Sequence, residues 1–193
     1  MAEMLVHYIG EYKRAKKEAG GISAAVNFHK LIDLEVGENM DSEMGRRVQC
    51  KKGCAFCCNI HVDATDDEAD LLSAYMKHEN IEIDKEKLQR QSNYDRENWH
   101  SQPFEDWSCV FVDDNTKSCK VYEHRPASCR KLLVLSAPQL CDTRNPQQRI
   151  QWFAQTEAEA IASATMNATN SDTLVKLLFN KLTNKDNKSF INQ

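Results

Sequence analysis

The chain has 193 residues, 41% of them apolar and 28% charged, with a formal net charge of -4. Those values suit one globular domain and exclude a fibrous or disordered chain, and the acidic balance disfavours wholesale nucleic-acid binding. The basic stretches at 13–17 and 46–52 are short, no run approaches about 18 apolar residues, and the N-terminus lacks a signal-peptide pattern, so a cytoplasmic protein without a membrane span is expected.

In chain order, Ile22, Ala25, Val26, Phe28, Leu31 and Ile32 make a broad apolar face. They predict a helix over 22–36, with Ser23 as its cap. Thr65-Asp66-Asp67-Glu68 matches a capping box and opens a helix over 65–78, with Leu71, Leu72, Tyr75 and Met76 facing a core. The carboxylates from Asp63 to Glu68 are therefore read as capping and dipole groups, not as ligands of a hard metal.

The segment 84–100 reads as a polar helix that touches a core through Leu88, Tyr94 and Trp99, and Phe104 and Trp107 pack beyond Pro103. Val110 to Val112, a turn-rich Asp113 to Thr116 and a return from Cys119 to Tyr122 fit a short hairpin, marginal on its own. Pro146 can start a helical stretch over 146–182, interrupted between Asn167 and Asp172. The expected fold is mostly α: one domain over 1–183, with a cysteine-rich irregular metal-binding unit at about 50–130, an optional short β-hairpin, and a tail at 184–193.

Eight cysteines need an explanation. A reducing compartment disfavours structural disulfides, which leaves metal ligation as the reading for a grouped set. Cys50, Cys54, Cys57 and Cys58 lie within nine residues beside Gly53, and Cys109, Cys119 and Cys129 follow at ten-residue intervals. Cys141 reads as a separate small buried or surface thiol.

Seven thiolates exceed the four needed by one tetrahedral zinc or one [4Fe-4S] cluster, so one centre with spare cysteines and two centres both remain open. Adjacent residues in an extended segment point to opposite sides, so only one of Cys57 and Cys58 need ligate. Thiolate charge calls for nearby cations: Lys51, Lys52, Arg125, Arg130 and Lys131 are candidates, Arg125 and Arg130 foremost. His124 reads as a hydrogen-bonding or surface residue. The C-x3-C-x2-C spacing also occurs in radical enzymes that bind a [4Fe-4S] cluster and S-adenosylmethionine, but no succession of β-α units here would build their barrel.

Cys-Lys-Lys-Gly-Cys-Ala-Phe-Cys-Cys at 50–58, followed by Cys119-x2-Tyr122-x2-Arg125-Pro126-x2-Cys129-Arg130, resembles the YkgJ-type cysteine-cluster family, described as zinc- or iron-chelating. The resemblance implies that the first cysteine run, Cys109, Cys119 and Cys129 form one metal-binding unit, with Tyr122, Arg125, Pro126 and Arg130 around it. Val62, Thr65 and Glu68 match the place where the family's helix follows its double cysteine.

Three classes of role follow. The first is a metal-binding protein holding zinc or an iron–sulfur cluster. The second is an iron–sulfur enzyme or redox protein, with methyl transfer suggested by similar cysteine motifs in flagellin lysine methylases that carry such a cluster. The third is a metal-handling or protein-interaction module. Zinc hydrolysis finds no support, because no His-Glu-x2-His helix is present.

Overall fold

The structure is a computed structural model that describes residues 1–51, 53–144 and 149–189, the last six by their backbone. Gly20 divides an N-terminal helical run into α1 (Ala2–Ala19) and α2 (Gly21–Met40). It takes φ +87 while its amide still donates to the Lys16 carbonyl at 2.9 Å, a conformation glycine reaches without a Cβ clash. Gly21 meets a different constraint: a Cβ there would fall 2.0 Å from Asp67 Oδ1, so the corner between the helices rests directly on the start of the third helix. The helix expected at 22–36 is thus longer at both ends, and Ser23 lies inside it rather than capping it.

The remaining elements are β1 (Asp63–Thr65), α3 (Asp66–Glu79), α4 (Lys85–Gln91), the single turn α5 (Ala127–Arg130), α6 (Thr156–Ala168), β2 (Ser171–Thr173) and α7 (Leu174–Ser189). β1 and β2 pair antiparallel, with Asp63, Ala64 and Thr65 opposite Thr173, Asp172 and Ser171. The fold class is therefore mostly helical with a small two-stranded sheet. That sheet joins distant segments. The expected hairpin segment is reduced to one antiparallel bridge, Val112 with Cys119, supported by Lys120 N donating to Phe111 O at 2.8 Å.

Two helices are shorter than periodicity suggests. α4 stops at Gln91, not at 100, because Ser92 Oγ and Asn93 Nδ2 both donate back to the Gln89 carbonyl at 2.8 Å and compete with helical bonding. α6 starts at Thr156 because the chain before it is extended: Leu135 N donates to Gln151 O and Phe153 N to Leu133 O, flanking a Val134–Trp152 bridge. Pro146, the expected start, lies outside the described residues. α7 runs into the stretch assigned to a tail, and 190–193 lie outside the described residues.

Two apolar clusters organise these elements. Tyr12, Phe28, Ile32, Ala158 and Ile161 join α1, α2 and α6, and Ala127 of α5 is buried with them. Leu72, Leu88, Trp99, Leu174 and Leu178 join α3, α4 and α7, and Val110, Phe111 and Val121 enter the same cluster from the cysteine-bearing loop. Each fully buried large side chain contributes roughly 1.5–3 kcal/mol, so the loop is anchored at both ends by residues that flank its cysteines.

Candidate metal centre

The start of α3 fixes the frame. The Thr65 and Glu68 capping box is formed, with Glu68 N donating to Thr65 Oγ1 at 3.2 Å and Thr65 N to Glu68 Oε2 at 2.8 Å. Glu68 does more than cap. Its Oε1 accepts from Ala127 N at 2.7 Å and lies 2.8 Å from His29 Nε2, which must donate because a carboxylate only accepts. Burial pushes the Glu68 carboxyl up, but the bonds from His29, Ala127 and Thr65 outweigh it and hold it below its ordinary value. One buried carboxylate thus ties α2, α3 and α5 together, two residues before Cys129. Asp67 beside it accepts from Tyr12 Oη at 3.0 Å and from Lys16 Nζ at 2.9 Å, which anchors α1 to the same turn.

The first cysteine run curls instead of extending. Gly53 takes φ +83, and Phe56–Asn59 forms a tight 3-10 turn. That turn is not extended, so the opposite-facing geometry of neighbouring strand residues does not apply to the adjacent Cys57 and Cys58. Cys58 O accepts from Cys109 N at 2.8 Å, which draws the second cysteine segment onto the first. Val134 N donates to Cys50 Sγ at 3.4 Å, and Gln49 N to Val134 O at 2.9 Å.

The sulfurs interact as neighbours. Burial pushes Cys50 up, the Val134 amide opposes this, and Cys57 and Cys54 push it further by charge repulsion. Cys57 is drawn down to about 7, chiefly by the hydrogen bond from Cys58, against burial and with help from Arg125. That same bond raises Cys58, with burial and the charges of Cys57, Cys109 and Cys129 adding to the rise. Burial takes Cys109 up to about 11, with Cys119 and Cys57 contributing. Cys129 is raised well above its ordinary value by burial, then by Cys109, Cys57 and Cys119. Two backbone amides, those of Phe111 and Val121, oppose these rises at Cys109 and Cys119. Amides two residues beyond a cysteine stabilise thiolate charge and orient the sulfur as a ligand.

Cys141 was set apart in the sequence, and the structure brings it in. The turn Pro138–Cys141 packs against the turn of Cys57 and Cys58, and Cys50, Cys57 and Cys54 act on its thiol, which burial first raises to about 11. Its signal in sequence is only its presence, because nothing local to it predicts that packing. All eight cysteines are free and partly buried. Among the described residues, no three Cys, His, Asp or Glu side chains yet form a closed ligand set, so the thiols are neighbours and not a finished coordination shell.

The candidate cations divide. Arg125 lies over the Tyr122 ring at 3.9 Å and favours the thiolates of Cys57, Cys119 and Cys129. Arg130 is 3% exposed and reaches the carboxylate of Asp33 and the carbonyls of Glu123 and Arg125, so it braces the loop instead of facing sulfur. Tyr122 is half exposed beneath Arg125. His124 packs on Tyr75 with ring centroids 4.1 Å apart, Lys51 is exposed, Lys131 is half-buried, and Lys52 lies outside the described residues. Sequence reasoning also missed Lys87, whose ammonium favours the Cys109 thiolate and donates to Ser108 Oγ at 2.5 Å. A cavity of about 720 Å³ opens against Cys109, walled by Phe56, Lys87, Arg90, Phe104, Lys117 and Lys120 among others.

Soft sulfur donors, backbone amides that favour two of the thiolates and a guanidinium that favours three are the donor chemistry that zinc and iron take. Among the described residues, no helix is long and apolar enough to cross a membrane. Neither the curated proteins nor the solved structures provide a match to the chain. A family model described as CxxCxxCC, putative zinc- or iron-chelating domain, matches residues 49–165, which is more than half of the chain. This agrees with the resemblance carried by the cysteine spacing, although the first two cysteines here stand one residue further apart than in the CxxCxxCC pattern. The chain belongs to the CxxCxxCC family of zinc- or iron-chelating domains.

Proposed function

We propose that the clustered cysteines coordinate zinc or an iron–sulfur cluster, [4Fe-4S] in the iron case, and that the bound centre is a structural clasp in a cytoplasmic protein. The observation that carries this reading is the meeting of cysteines from separate segments in a region with little regular structure. Cys50 to Cys58, Cys109 with Cys119, Cys129 and Cys141 are held by turns of three or four residues and isolated bridges. Such turns bury too little apolar surface to fix themselves, and metal–thiolate bonds supply what they lack. Cys54 and Cys129 are proposed as ligands, together with Cys50, Cys57, Cys58, Cys109 and Cys119, and Arg125 offsets their charge.

The test is anaerobic purification of the full chain, followed by assay of zinc, iron and inorganic sulfide and an absorption spectrum. Stoichiometric colourless zinc, or iron with sulfide and a broad visible band, is the expected result, with metal lost in Cys54→Ser and Cys129→Ser. A folded chain that carries neither metal, and whose thiols stay fully reactive after zinc or iron is added, overturns the reading.

One observation favours a second reading, an iron–sulfur enzyme or redox centre. The cavity beside Cys109 presents Lys87 and Lys120, whose ammonium groups are held by the neutral oxygens of Ser108 and Glu82. A small anion bound there would sit next to the centre. A spectrum of the iron-loaded chain that shifts when inorganic phosphate or a carboxylate is added would favour that reading over a closed clasp.

A further inference from the structure

The cavity beside Cys109 is assembled from three segments, each held in place by bonds of its own. The segment 104–109 is fixed to α4. Arg90 clasps the buried Asp106 carboxylate through Nε and Nη2, Tyr94 Oη donates to Asp106 Oδ2 at 2.7 Å, and the buried Gln91 Nε2 donates to the carbonyls of Asp106 and Ser108 at 2.6 and 2.9 Å. In the second segment, Asp113 Oδ1 accepts from Asn115 N, Thr116 N and Thr116 Oγ1, which closes the turn that carries Lys117. The first cysteine run is the third, and it comes so near this turn that a Cβ on Gly53 would lie 3.7 Å from Thr116 O. The enclosed volume, about 720 Å³, falls among cavities of roughly 300–1,000 Å³ that hold whole organic molecules, and it exceeds what a bare small anion needs.

Its polar groups divide into committed and available ones. The guanidinium forks are taken, Arg90 by Asp106 and Arg144 by Asp142. The carboxylates on the lining, Asp84, Glu105 and Asp114, are exposed and screened by solvent, and Asp84 caps α4 by accepting from Lys87 N at 2.8 Å. Lys87 and Lys120 are different, because their ammonium groups are bonded to neutral oxygens, Ser108 Oγ and Glu82 O. Glu82 lies five residues before Lys87, so both ammonium groups belong to the corner that leads into α4. Lys117 keeps a long cationic side chain at φ +54, which glycine would reach without strain. Around these lysines the lining is apolar. Phe56, Val110 and Val112 are part of it, and Phe104, half exposed, is steadied between the Trp107 ring at 5.3 Å and the Arg144 guanidinium at 4.7 Å.

We infer that this cavity binds a phosphate monoester with an apolar or aromatic body, the phosphate held by Lys87 and Lys120, with Lys117 at its rim, and the body seated against Phe56 and Phe104. The inference rests on the reading of an open centre with a cavity beside it, and it names the class of ligand and the residues that select it. Ammonium groups act as point charges that suit a dense anion, whereas the planar forks that favour a lone carboxylate are already occupied. A phosphate monoester carries close to two negative charges at neutral pH and so matches a pair of lysines.

The experiment is isothermal titration of the anaerobically purified full chain with phenyl phosphate and with inorganic phosphate, the metal content and circular dichroism of the same samples being recorded. Phenyl phosphate is expected to saturate at one per chain, more tightly than inorganic phosphate. Lys87→Gln and Lys120→Gln should each weaken it about tenfold, the loss of one charge-assisted hydrogen bond. Phe104→Ala should bring phenyl phosphate down towards inorganic phosphate. Lys117→Gly, which relieves the backbone and so does not act through unfolding, should weaken binding severalfold. The inference is overturned if phenyl phosphate shows no saturable binding in the millimolar range, if it binds no better than inorganic phosphate, or if a folded Lys87→Gln/Lys120→Gln chain binds it as wild type does. A chain that holds zinc or iron and fails these tests leaves the chelation reading standing, whereas one that binds phenyl phosphate as described and takes up neither metal sinks chelation alone.

Discussion

The helical body and the cysteine unit reach order by different physics. α1, α2 and α6 close around Tyr12, Phe28, Ile32 and Ile161, all nearly or fully buried, and their backbone bonds lie within the helices. Between Met40 and β1, and again between α4 and α6 apart from the single turn α5, the chain advances by turns and single bridges, and its polar atoms find partners one at a time. The first region is stable because apolar area leaves water, whereas the second depends on bonds to a centre. The contrast teaches where each kind of damage should appear.

The largest effect is expected from metal removal, since structural zinc sites bind with apparent free energies on the order of 10 kcal/mol. Chelation of the loaded chain should raise hydrogen exchange across 50–58 and 109–141 while α1, α2 and α6 keep their protection. If both regions lose protection together, the comparison fails. Next comes the seam: Glu68→Ala leaves His29 and the Ala127 amide buried without their acceptor and should cost about 3–5 kcal/mol, read as a fall in denaturation midpoint in both regions. Ile161→Ala, a cavity in the body alone, should cost roughly 2–5 kcal/mol and leave metal stoichiometry unchanged.

The same carboxylate predicts a pH dependence. Its folded pKa lies below the ordinary value, so its contribution is present above the unfolded pKa and is lost as pH falls through the folded one. Denaturant melts of wild type and Glu68→Gln at descending acid pH should converge, and parallel curves would exclude this role. The smallest effect is at Lys117, which holds φ +54 in the turn after Asp113. Lys117→Gly should stabilise the loaded chain by about 0.5–1 kcal/mol, measured by chemical denaturation.

Local chemistry made part of this architecture legible. The Thr65 and Glu68 box starts α3 where its pattern places it, and the apolar face of Ile22 to Val36 marks α2. α1 went unread although Leu5, Tyr8, Tyr12 and Ala15 recur at helical spacing, because charged residues crowd the segment and only Tyr12 of it is fully buried. The pairing of Val134 with Trp152 was hidden for another reason: extended segments that meet across a loop leave no periodic trace, and the apolar residues at 150–153 read equally well as helix. Spacing drew attention to seven cysteines, yet their grouping follows from tertiary contacts such as the Cys58 and Cys109 bond, and Cys141 is recruited by a turn whose partner lies some eighty residues upstream. Glu68 was legible as a cap but not as the acceptor for Ala127, since the second role exists only once α5 docks.

The pairing of β1 with β2 has a consequence for assembly order. Ser171 to Thr173 follows every cysteine in the chain, and its partner Asp63 to Thr65 precedes Cys109, so this strap closes around a loop containing half of the thiols. Contacts between such distant residues form late because closing a long loop is entropically slow. During synthesis all eight thiols therefore leave the ribosome before the strand and α7 that complete the enclosure. Metal delivery has its natural window in that interval, and a chain starved of metal then would close over unfilled thiols and be sensitive to oxidation.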